Sequence, residues 1–382
     1  MRKAILFLLV LASILCMGLM PAVCAEKTIT DMDGRTVNVS VPPEKVVTAG
    51  YYMPACVMAA LGVGDKIVGT GISSGGSSVL YHNLTPTLVI LPAINALPKL
   101  GGGRNLNVEA TVALNPDLVI LEKDCAGQGD WTEGYNELIK KLSLFNKSVP
   151  LVVINNPACS DHPSPDSVYK EITIIGELFD KQNRSQEIIN LLKDEVALVT
   201  ERTKDIKPEE QPSALIMSLQ AGMKGSEGTL AYVLPDYDCG TLYPEITKIK
   251  NIYAGKTREY MSAEQLLALD PNAIILICSS DSLTTEKLYT SDAYKALQGL
   301  RAVKEKKAYA TGLLETGRNN AGLEFPIEML IEAKAVYPDR FKDINVGEQL
   351  TKHCKALYGL DDEQIKELKK VLFLDWMDKE GF

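Results

Sequence analysis

Histidine is scarce in this chain, and the common signatures of catalysis are missing. Among 382 residues there are three histidines, and they stand far apart in the sequence. There is neither a His-Glu-x-x-His zinc motif nor the Gly-x-Ser-x-Gly turn of the α/β-hydrolases. We therefore expect no enzyme, and no metal ion bound directly by the three histidines, His82, His162 and His353.

Basic residues are also fewer than acidic residues in this chain. The chain has 40 Lys and Arg against 49 Asp and Glu, a formal net charge of -9, and its basic residues form no run. An acidic surface of this kind is repelled by phosphate backbones. Nucleic acid is therefore not an expected partner.

The first 25 residues read as an export signal. Arg2 and Lys3 form a short positive region without any acid, and an apolar stretch extends from Ala4 to about Met20. Small residues, Val23 and Ala25, then stand at the spacing of a cleavage site. An uncleaved anchor and a lipid on Cys24 remain open, although Val23 is a poor lipobox residue. No later segment is apolar enough to span a bilayer, so we expect an exported protein in the periplasm or on the outer face of the membrane.

Cysteine spacing gives little further information. Six cysteines follow the signal, and none forms a Cys-x-x-Cys pair or a zinc pattern with histidine. An exported protein can hold disulfides. A pair within one lobe, such as Cys125 with Cys159, is possible, while most of the six are expected to be small buried hydrophobes.

The length and the periodicity predict two α/β lobes. A chain of 382 residues is too long for one typical core, and short apolar strands alternate with amphipathic helices in two separate regions. Between them lies a helical region over about 167–205 that residues 181–184 could interrupt. Its second part is long enough to cross from one domain to another, at about 1.5 Å per residue. The expected division is a signal (1–25), an N-terminal lobe (26–165), a helical connection (166–206), a C-terminal lobe (207–345) and C-terminal helices (346–382).

One segment occurs twice. Residues 108–120 and 262–275 each have a glutamate in the first turn of a short helix, then Ala-Leu, a proline and an apolar strand. A glutamate at a helix N-terminus can serve the helix dipole alone. The repetition nevertheless indicates two similarly built lobes, each presenting one carboxylate, Glu109 or Glu264, at a comparable place.

Candidate ligand contacts lie in loops after the strands, where open α/β sheets bind their ligands. Arginine presents a planar fork to anions, and tyrosine or tryptophan can stack on a flat ligand. The glycines at 101–103 are not followed by Lys-Ser/Thr, so they do not form a phosphate-binding loop. The candidates are Tyr51, Tyr52, Arg104, Trp131, Arg318 and Asn319.

The order of these elements resembles the iron-siderophore, haem and cobalamin receptors of ABC importers. The resemblance begins at residues 28–37 and 42–47, which look like the family's opening hairpin and first strand. It continues through Leu61-Gly62-Val63-Gly64-Asp65, the two glutamate units and residues 294–309, and covers nearly all of 28–345.

That resemblance implies two Rossmann-like lobes joined by a single long helix, with the ligand in the cleft between them. It implies that Glu109 and Glu264 dock onto arginines of a permease and ATPase complex. It also implies a monomer without an intrinsic cofactor. The cargo would be a metal chelate; an oxyanion such as molybdate is the alternative on the same fold. A sensor ectodomain and a chelatase-like enzyme are less favoured alternatives.

Overall fold

The computed structural model describes most of the chain after residue 24, with gaps between several of its segments. The described residues are 25–50, 52–72, 89–102, 105–123, 131–145, 149–160, 164–221, 228–235, 242–255, 258–278, 284–312 and 322–382. Within them, no helix is long and apolar enough to cross a membrane.

The first lobe contains a parallel sheet preceded by an antiparallel hairpin. The hairpin pairs β1 with β2, and the sheet has the order β4-β3-β5-β6. The strands are β1 (Ala25–Thr30), β2 (Thr36–Val41), β3 (Val46–Gly50), β4 (Ile67–Ile72), β5 (Leu118–Lys123) and β6 (Leu151–Asn155); the helices are α1 (Met53–Ala60), α2 (Val108–Ala113) and α3 (Trp131–Phe145).

The central strands are apolar on both faces because both faces are covered. Side chains alternate between two core clusters: Leu118 and Ile120 of β5 join one, while Val119 and Leu121 join the other. The sequence predicted this strand from its continuous apolar run, and the prediction is confirmed.

The hairpin is attached to the edge of β6 through a buried carboxylate. Asp31 is 1% exposed and accepts hydrogen bonds from Arg35 Nη2 at 2.6 Å and from the Val153 backbone N–H at 3.2 Å. Arg35 Nη2 also donates to the Leu151 carbonyl at 3.1 Å. Asp31 and Arg35, which lie in the segment 28–37 of the family resemblance, therefore have a structural role, because they attach the hairpin to an otherwise open strand edge.

The chain leaves the first lobe through α4 (Pro165–Leu178), which packs against β1 and β6, and crosses to the second lobe through one long helix, α5 (Gln182–Thr203). The chain turns between them at Asp180, whose φ is 52°, just before the interruption expected at 181–184; residues 182–184 already form the first turn of α5. Gly176 is required here because a Cβ on it would lie 1.7 Å from Ser185 Oγ. With 22 residues, α5 is about 33 Å long.

The second lobe contains a mixed sheet of order β10-β8-β7-β11-β12, with β9 also paired to β7. The strands are β7 (Ser213–Leu219), β8 (Ala231–Val233), β9 (Lys250–Asn251), β10 (Glu259–Met261), β11 (Ala273–Cys278) and β12 (Ala308–Gly312); the helices are α6 (Leu242–Thr247), α7 (Ala263–Leu269), α8 (Thr285–Thr290), α9 (Arg301–Lys304) and α10 (Phe325–Val336). The antiparallel strands β8 and β10 were not predicted from the sequence.

The C-terminal helices pack against both lobes. They are α11 (Val346–Tyr358), α12 (Asp362–Val371) and α13 (Trp376–Glu380), and α11 contacts α1 of the first lobe and α10 of the second. Arg184 of α5 donates to the carbonyls of Ala60 at 3.1 Å and Ala356 at 2.6 Å. Within the C-terminal helices predicted over 346–382, the chain breaks between α12 and α13 at Phe373, whose φ is 56°.

Candidate functional site

The two glutamates that the sequence singles out occupy the same position in their helices. Glu109 is the second residue of α2, and Glu264 is the second residue of α7. The cap residue before each helix accepts a hydrogen bond from the backbone of the third helical residue, from Ala110 to Asn107 Oδ1 at 2.9 Å and from Gln265 to Ser262 Oγ at 3.4 Å. Each helix therefore starts at a fixed point, and each carboxylate projects from that point.

The likeness continues beyond the helices. Six residues after each glutamate, Asn115 (φ 49°) and Asp270 (φ 38°) adopt the left-handed conformation that asparagine and aspartate tolerate best. Next to the following proline, Asp117 Oδ2 accepts from the Lys45 N–H at 2.9 Å, and Asn272 Oδ1 accepts from the Ser213 N–H at 2.9 Å. Both contacts fix the start of the neighbouring central strand.

The strands that follow have the same register in both lobes. Leu118 of β5 lies opposite Val46 of β3, and Ala273 of β11 lies opposite Ala214 of β7. On the other side, Val119 pairs with Leu151 and Ile274 with Ala308. The two glutamate units, which are alike in sequence, are thus also alike in structure.

Both glutamates are exposed, and neither carboxylate has a hydrogen-bond or ion-pair partner in the described part of the chain. The positive end of a short helix lies beside each of them. Two unengaged carboxylates at equivalent places are available to cations of another molecule.

Most of the other predicted site residues lie outside the part of the chain that the structure describes. Tyr51, Arg104, Arg318 and Asn319 lie outside the described residues, and so does the side chain of Trp131, which begins α3. Tyr52 is only 7% exposed and belongs to the core cluster around α1. Their contacts with a ligand stay a prediction.

A cluster of two tyrosines and an arginine lies on the second lobe. The rings of Tyr232 (β8) and Tyr260 (β10) have centroids 5.0 Å apart and are tilted by 47°. Arg258 Nη1 donates to the Tyr232 hydroxyl at 3.0 Å, and the guanidinium carbon lies 5.8 Å from the Tyr232 ring centroid. Sequence reasoning missed these residues because it did not predict the strands that bring them together. An arginine followed two residues later by a tyrosine was the only local signal.

A pair of buried carboxyl groups lies beneath the first sheet. Glu122 of β5 and Glu171 of α4 are each 1% exposed. Burial, and after it the charge of Glu122, raises the pKa of the Glu171 carboxyl well above its ordinary value. The equivalent strand position in the second lobe is Ile277, a buried apolar residue.

His353 is fully buried on α11 and binds Glu195 of the interlobe helix α5. The distance from His353 Nδ1 to Glu195 Oε2 is 2.9 Å. Burial lowers the pKa of this imidazole, but the charge and hydrogen bond of Glu195, together with Glu324, outweigh it, so the pKa is raised. One of the three histidines is therefore engaged in holding helices together.

Cys56 and Cys354 are buried thiols that are not part of a disulfide. Cys159 is disulfide-bonded, and its Sγ lies 3.5 Å from the Lys123 carbonyl. Cys125, the partner considered from the sequence, lies outside the described residues. No group of three or more metal-binding side chains occurs among the described residues.

Comparisons with known proteins agree on one family. A sequence model described as periplasmic binding protein matches residues 47–312. The uncharacterized ABC transporter substrate-binding lipoprotein YvrC of Bacillus subtilis is 25% identical over 328 residues, which are 83% of this chain and 87% of YvrC. The molybdate-binding protein MolA of Haemophilus influenzae is 21% identical over 352 residues, 87% of this chain and 91% of MolA.

Solved structures share the architecture. A periplasmic solute binding protein from Veillonella parvula superposes with a TM-score of 0.72 at 19% identity, covering 94% of this chain and 100% of that protein. MolA bound to molybdate superposes with a TM-score of 0.67 at 18% identity, covering 88% and 98%. At these identities the likeness shows the two-lobed fold.

Proposed function

The chain belongs to the periplasmic binding protein family, and we propose that this ABC transporter substrate-binding protein delivers a metal chelate to a membrane permease. The chelate would bind in the cleft between the lobes, and Glu109 and Glu264 would dock onto cations of the permease. The protein would act as an exported monomer that binds its cargo without chemical change.

The observation that carries this proposal is the equivalence of the two glutamate units. Each carboxylate follows a capped helix start, is exposed, and lacks a partner in the described part of the chain. A sensor ectodomain would have no need for two such carboxylates at matching positions. Charge pairs at the rim of an interface chiefly orient the partners and accelerate their encounter, which suits a receptor that must bind and leave repeatedly.

Histidine usage supports a chelated metal rather than a bare ion. His353 is fully buried and bound to Glu195, so it is not available to a cargo. That leaves His82 and His162, fewer than a histidine-rich site for bare zinc would use. In a chelate, the chelator supplies the metal ligands and the protein recognises the organic shell.

A molybdate-like oxyanion is the second candidate for the cargo. It is favoured by the similarity to MolA, a protein described as molybdate-binding, over 87% of this chain. Arginines such as Arg104 and Arg318 would suit either cargo, because a guanidinium binds oxyanions as well as carboxylates.

The proposal is tested in cells from which the gene for this protein has been deleted. The purified wild-type protein is first analysed by native mass spectrometry and metal analysis to identify the co-purified cargo. Uptake of that cargo is then measured in cells that carry either the wild type or the double variant Glu109→Lys/Glu264→Lys. We expect uptake to fall about 100-fold, since each lost contact of about 1.4 kcal/mol corresponds to a factor of ten.

A matched control is the pair Glu137→Lys/Glu367→Lys, because both residues are exposed and lie on helices outside the two units. Cargo affinity of the docking variant, measured by calorimetry, should stay within about twofold of the wild type. Normal uptake by the docking variant would contradict the proposal, and so would turnover of the cargo by the purified protein.

A further inference from the structure

We propose that the C-terminal helix α11 joins the two lobes through a proton-sensitive polar cluster, so that the lobes separate more readily as the pH rises. The cluster consists of His353 and Tyr358 on α11, Arg184 and Glu195 on α5, and Glu324 directly before α10. The inference concerns the movement of the lobes, so it holds whichever cargo they bind, and its failure would leave the receptor function standing.

Helix α11 packs against both lobes. It contacts α1 of the first lobe and α10 of the second. Its residues Leu350 and Leu357 belong to a core cluster that also contains Val57 of α1 and Leu330 of α10. A change in the angle between the lobes therefore has to move α11 relative to at least one of them.

Arg184 connects the interlobe helix to the ends of two other helices. Its guanidinium donates hydrogen bonds to the carbonyls of Ala60 at 3.1 Å, Ala356 at 2.6 Å and Leu357 at 2.9 Å. Ala60 is the last residue of α1, and the other two lie in the last turn of α11. Carbonyls at a helix C-terminus carry partial negative charge, which favours a cation there. Helices α1, α5 and α11 thus meet at one residue.

Two buried contacts join α11 to α5 and to α10. His353 is fully buried, and its Nδ1 lies 3.1 and 2.9 Å from the two carboxylate oxygens of Glu195. The Tyr358 hydroxyl donates to Glu324 Oε1 at 2.6 Å, and Glu324 is 5% exposed. Buried charges are screened much less by salt than exposed ones. The charge on His353 therefore has a large effect on how firmly α11 is held.

The imidazole of His353 can gain and lose a proton at Nε2. The contact with Glu195 keeps a proton on Nδ1, because a carboxylate can only accept. Nε2 has no hydrogen-bond partner among the described residues. Burial lowers the pKa of His353, but the charge and hydrogen bond of Glu195 and the charge of Glu324 outweigh it and raise the pKa. The cation is thus favoured while both carboxylates stay near it.

Other titratable groups lie on the helices that surround His353: Lys369 (α12), Asp378 (α13), Glu328 and Glu332 (α10), Cys56 (α1) and Cys354 (α11). Lys369 pairs with Asp378 at 2.7 Å, and Glu328 accepts a hydrogen bond from the Tyr243 hydroxyl at 2.6 Å. Burial raises the pKa of the Cys354 thiol well above its ordinary value. Histidine has the ordinary pKa closest to neutrality, so His353 is the group of this set expected to change charge between pH 6 and pH 9.

The direction of the effect follows from the raised pKa of His353. The stabilising charge is complete below the ordinary histidine value and is lost as the pH rises through the raised value. Loss of the proton leaves the carboxylates of Glu195 and Glu324 beside a neutral ring in an apolar region, where unpaired charge is costly. Movement of α11 away from α5 and α10 lets water reach both carboxylates. The lobes are therefore held most firmly at acidic pH.

The experiment measures the distance between the lobes of the full mature protein by pulsed electron paramagnetic resonance at pH 6 and pH 9. Spin labels are attached to p-acetylphenylalanine in place of Glu137 on α3 and Lys287 on α8, both of which are exposed. This labelling chemistry leaves the native cysteines unmodified. The variants are His353→Gln, Glu195→Gln and Tyr358→Phe. The control is Lys352→Gln, which removes an exposed charge next to His353 on the same helix.

In the wild type we expect the more open population to rise about threefold to tenfold from pH 6 to pH 9, since tenfold corresponds to one pKa unit between the two arrangements. His353→Gln and Glu195→Gln should show the larger open population already at pH 6, with no further rise. Tyr358→Phe loses the contact with Glu324 and should raise the open population about threefold at both pH values. Lys352→Gln should behave as the wild type.

The same distance distribution at pH 6 and pH 9 in the wild type would overturn the proposal, and so would a more open arrangement at pH 6. A pH dependence that persists in His353→Gln or in Glu195→Gln would overturn it too, because another group would then be responsible. An unchanged distribution in Tyr358→Phe would contradict the contact between α11 and α10 on which the cluster depends. Circular dichroism checks that each variant is folded, and either glutamine variant alone is sufficient for the comparison.

Discussion

The two lobes share three central strands in the same register, but they differ in what surrounds those strands. Next to β3, the first lobe has the parallel strand β4, whereas the carboxyl end of β7 in the second lobe has the antiparallel pair β8 and β10. At one equivalent buried position of the central strand, the first lobe has Glu122 in β5 and the second lobe has Ile277 in β11. The shared part presents Glu109 and Glu264, the two proposed docking residues, and the differing parts give each lobe its own chemistry.

This difference shows where a duplicated unit is free to change. The cap, the helix, the left-handed turn and the strand start depend on one another through short backbone contacts, such as those of Asp117 and Asn272. A change in one of them disturbs the position of the carboxylate. Strand β10 leads directly into the cap Ser262, so it can carry new side chains only at exposed positions such as Tyr260.

The largest effect is expected when the second lobe receives the buried carboxyl of the first. Ile277→Glu places an acid at a position only 7% exposed, among the apolar residues of the core. An unpaired buried charge should lower the free energy of unfolding by about 3–5 kcal/mol, measured by urea denaturation. Ile277→Val, the size control, should cost about 1 kcal/mol. A cost for Ile277→Glu no greater than that of the control would mean that this site tolerates acids as the first lobe does.

Removing the acid from the first lobe tests the same difference in reverse. The pKa of Glu171 is raised in the folded state, so the folded protein retains a proton that the unfolded chain has lost. Stability is therefore lost as the pH rises above the ordinary glutamate value, by about 1.4 kcal/mol for each unit of elevation. Glu171→Gln should flatten that decline and should be at least about 1 kcal/mol more stable than the wild type at alkaline pH.

The measurement for Glu171→Gln is urea denaturation in steps from pH 5 to pH 9. Glu177→Gln on the same helix is the control, and it should keep the wild-type profile. A Glu171→Gln profile that falls as steeply as the wild type would mean that the buried pair does not hold an extra proton.

Variants of His353 and Glu195 test whether the contact between α11 and α5 stabilises the packing of the two lobes. The pKa of His353 is raised in the folded state, so its contribution to stability is complete below the ordinary histidine value and is lost as the pH rises through the folded value. His353→Gln should destabilise the protein by about 1–3 kcal/mol at pH 6 and by less at pH 9. Denaturation midpoints at the two pH values give both numbers. Glu195→Gln should reproduce the pH dependence, and a cost independent of pH in both variants would exclude the charge pair.

The smallest effects are expected at the two helix caps, where the lobes are most alike. Asn107→Ala and Ser262→Ala should each lower the free energy of unfolding by about 1 kcal/mol, seen as a small fall in Tm. Asn107→Asp and Ser262→Thr keep a capping oxygen and should restore most of the loss. Costs that differ by more than about 1 kcal/mol between the lobes would contradict the equivalence of the two units.

Local sequence features predicted the central part of the fold. Continuous apolar runs predicted β5, β6 and β11, because these strands are covered on both faces. The helical region over 167–205 predicted α5, and the repeated glutamate units predicted two matched acidic helix starts. Each of these depends on neighbours in sequence, which is why single residues and short runs were sufficient.

The missed elements depend on partners that are distant in sequence. Strands β8 and β10 have three residues each, too few for an alternating pattern to stand out. The break between α12 and α13 occurs where Phe373 takes a left-handed conformation, a choice set by packing rather than by propensity. The local sequence pattern predicts neither the two short strands nor the break at Phe373.

By itself, the sequence determined two α/β lobes, a long connecting helix and a matched pair of acidic helix starts, since all of these follow from periodicity and local hydrogen bonding. Only the tertiary structure decided that Tyr232 meets Tyr260 beneath Arg258, that Glu171 is buried beside Glu122, and that His353 is bound to Glu195. These contacts join residues far apart in the chain, and their energies come from burial and distance, which exist only once the lobes have folded.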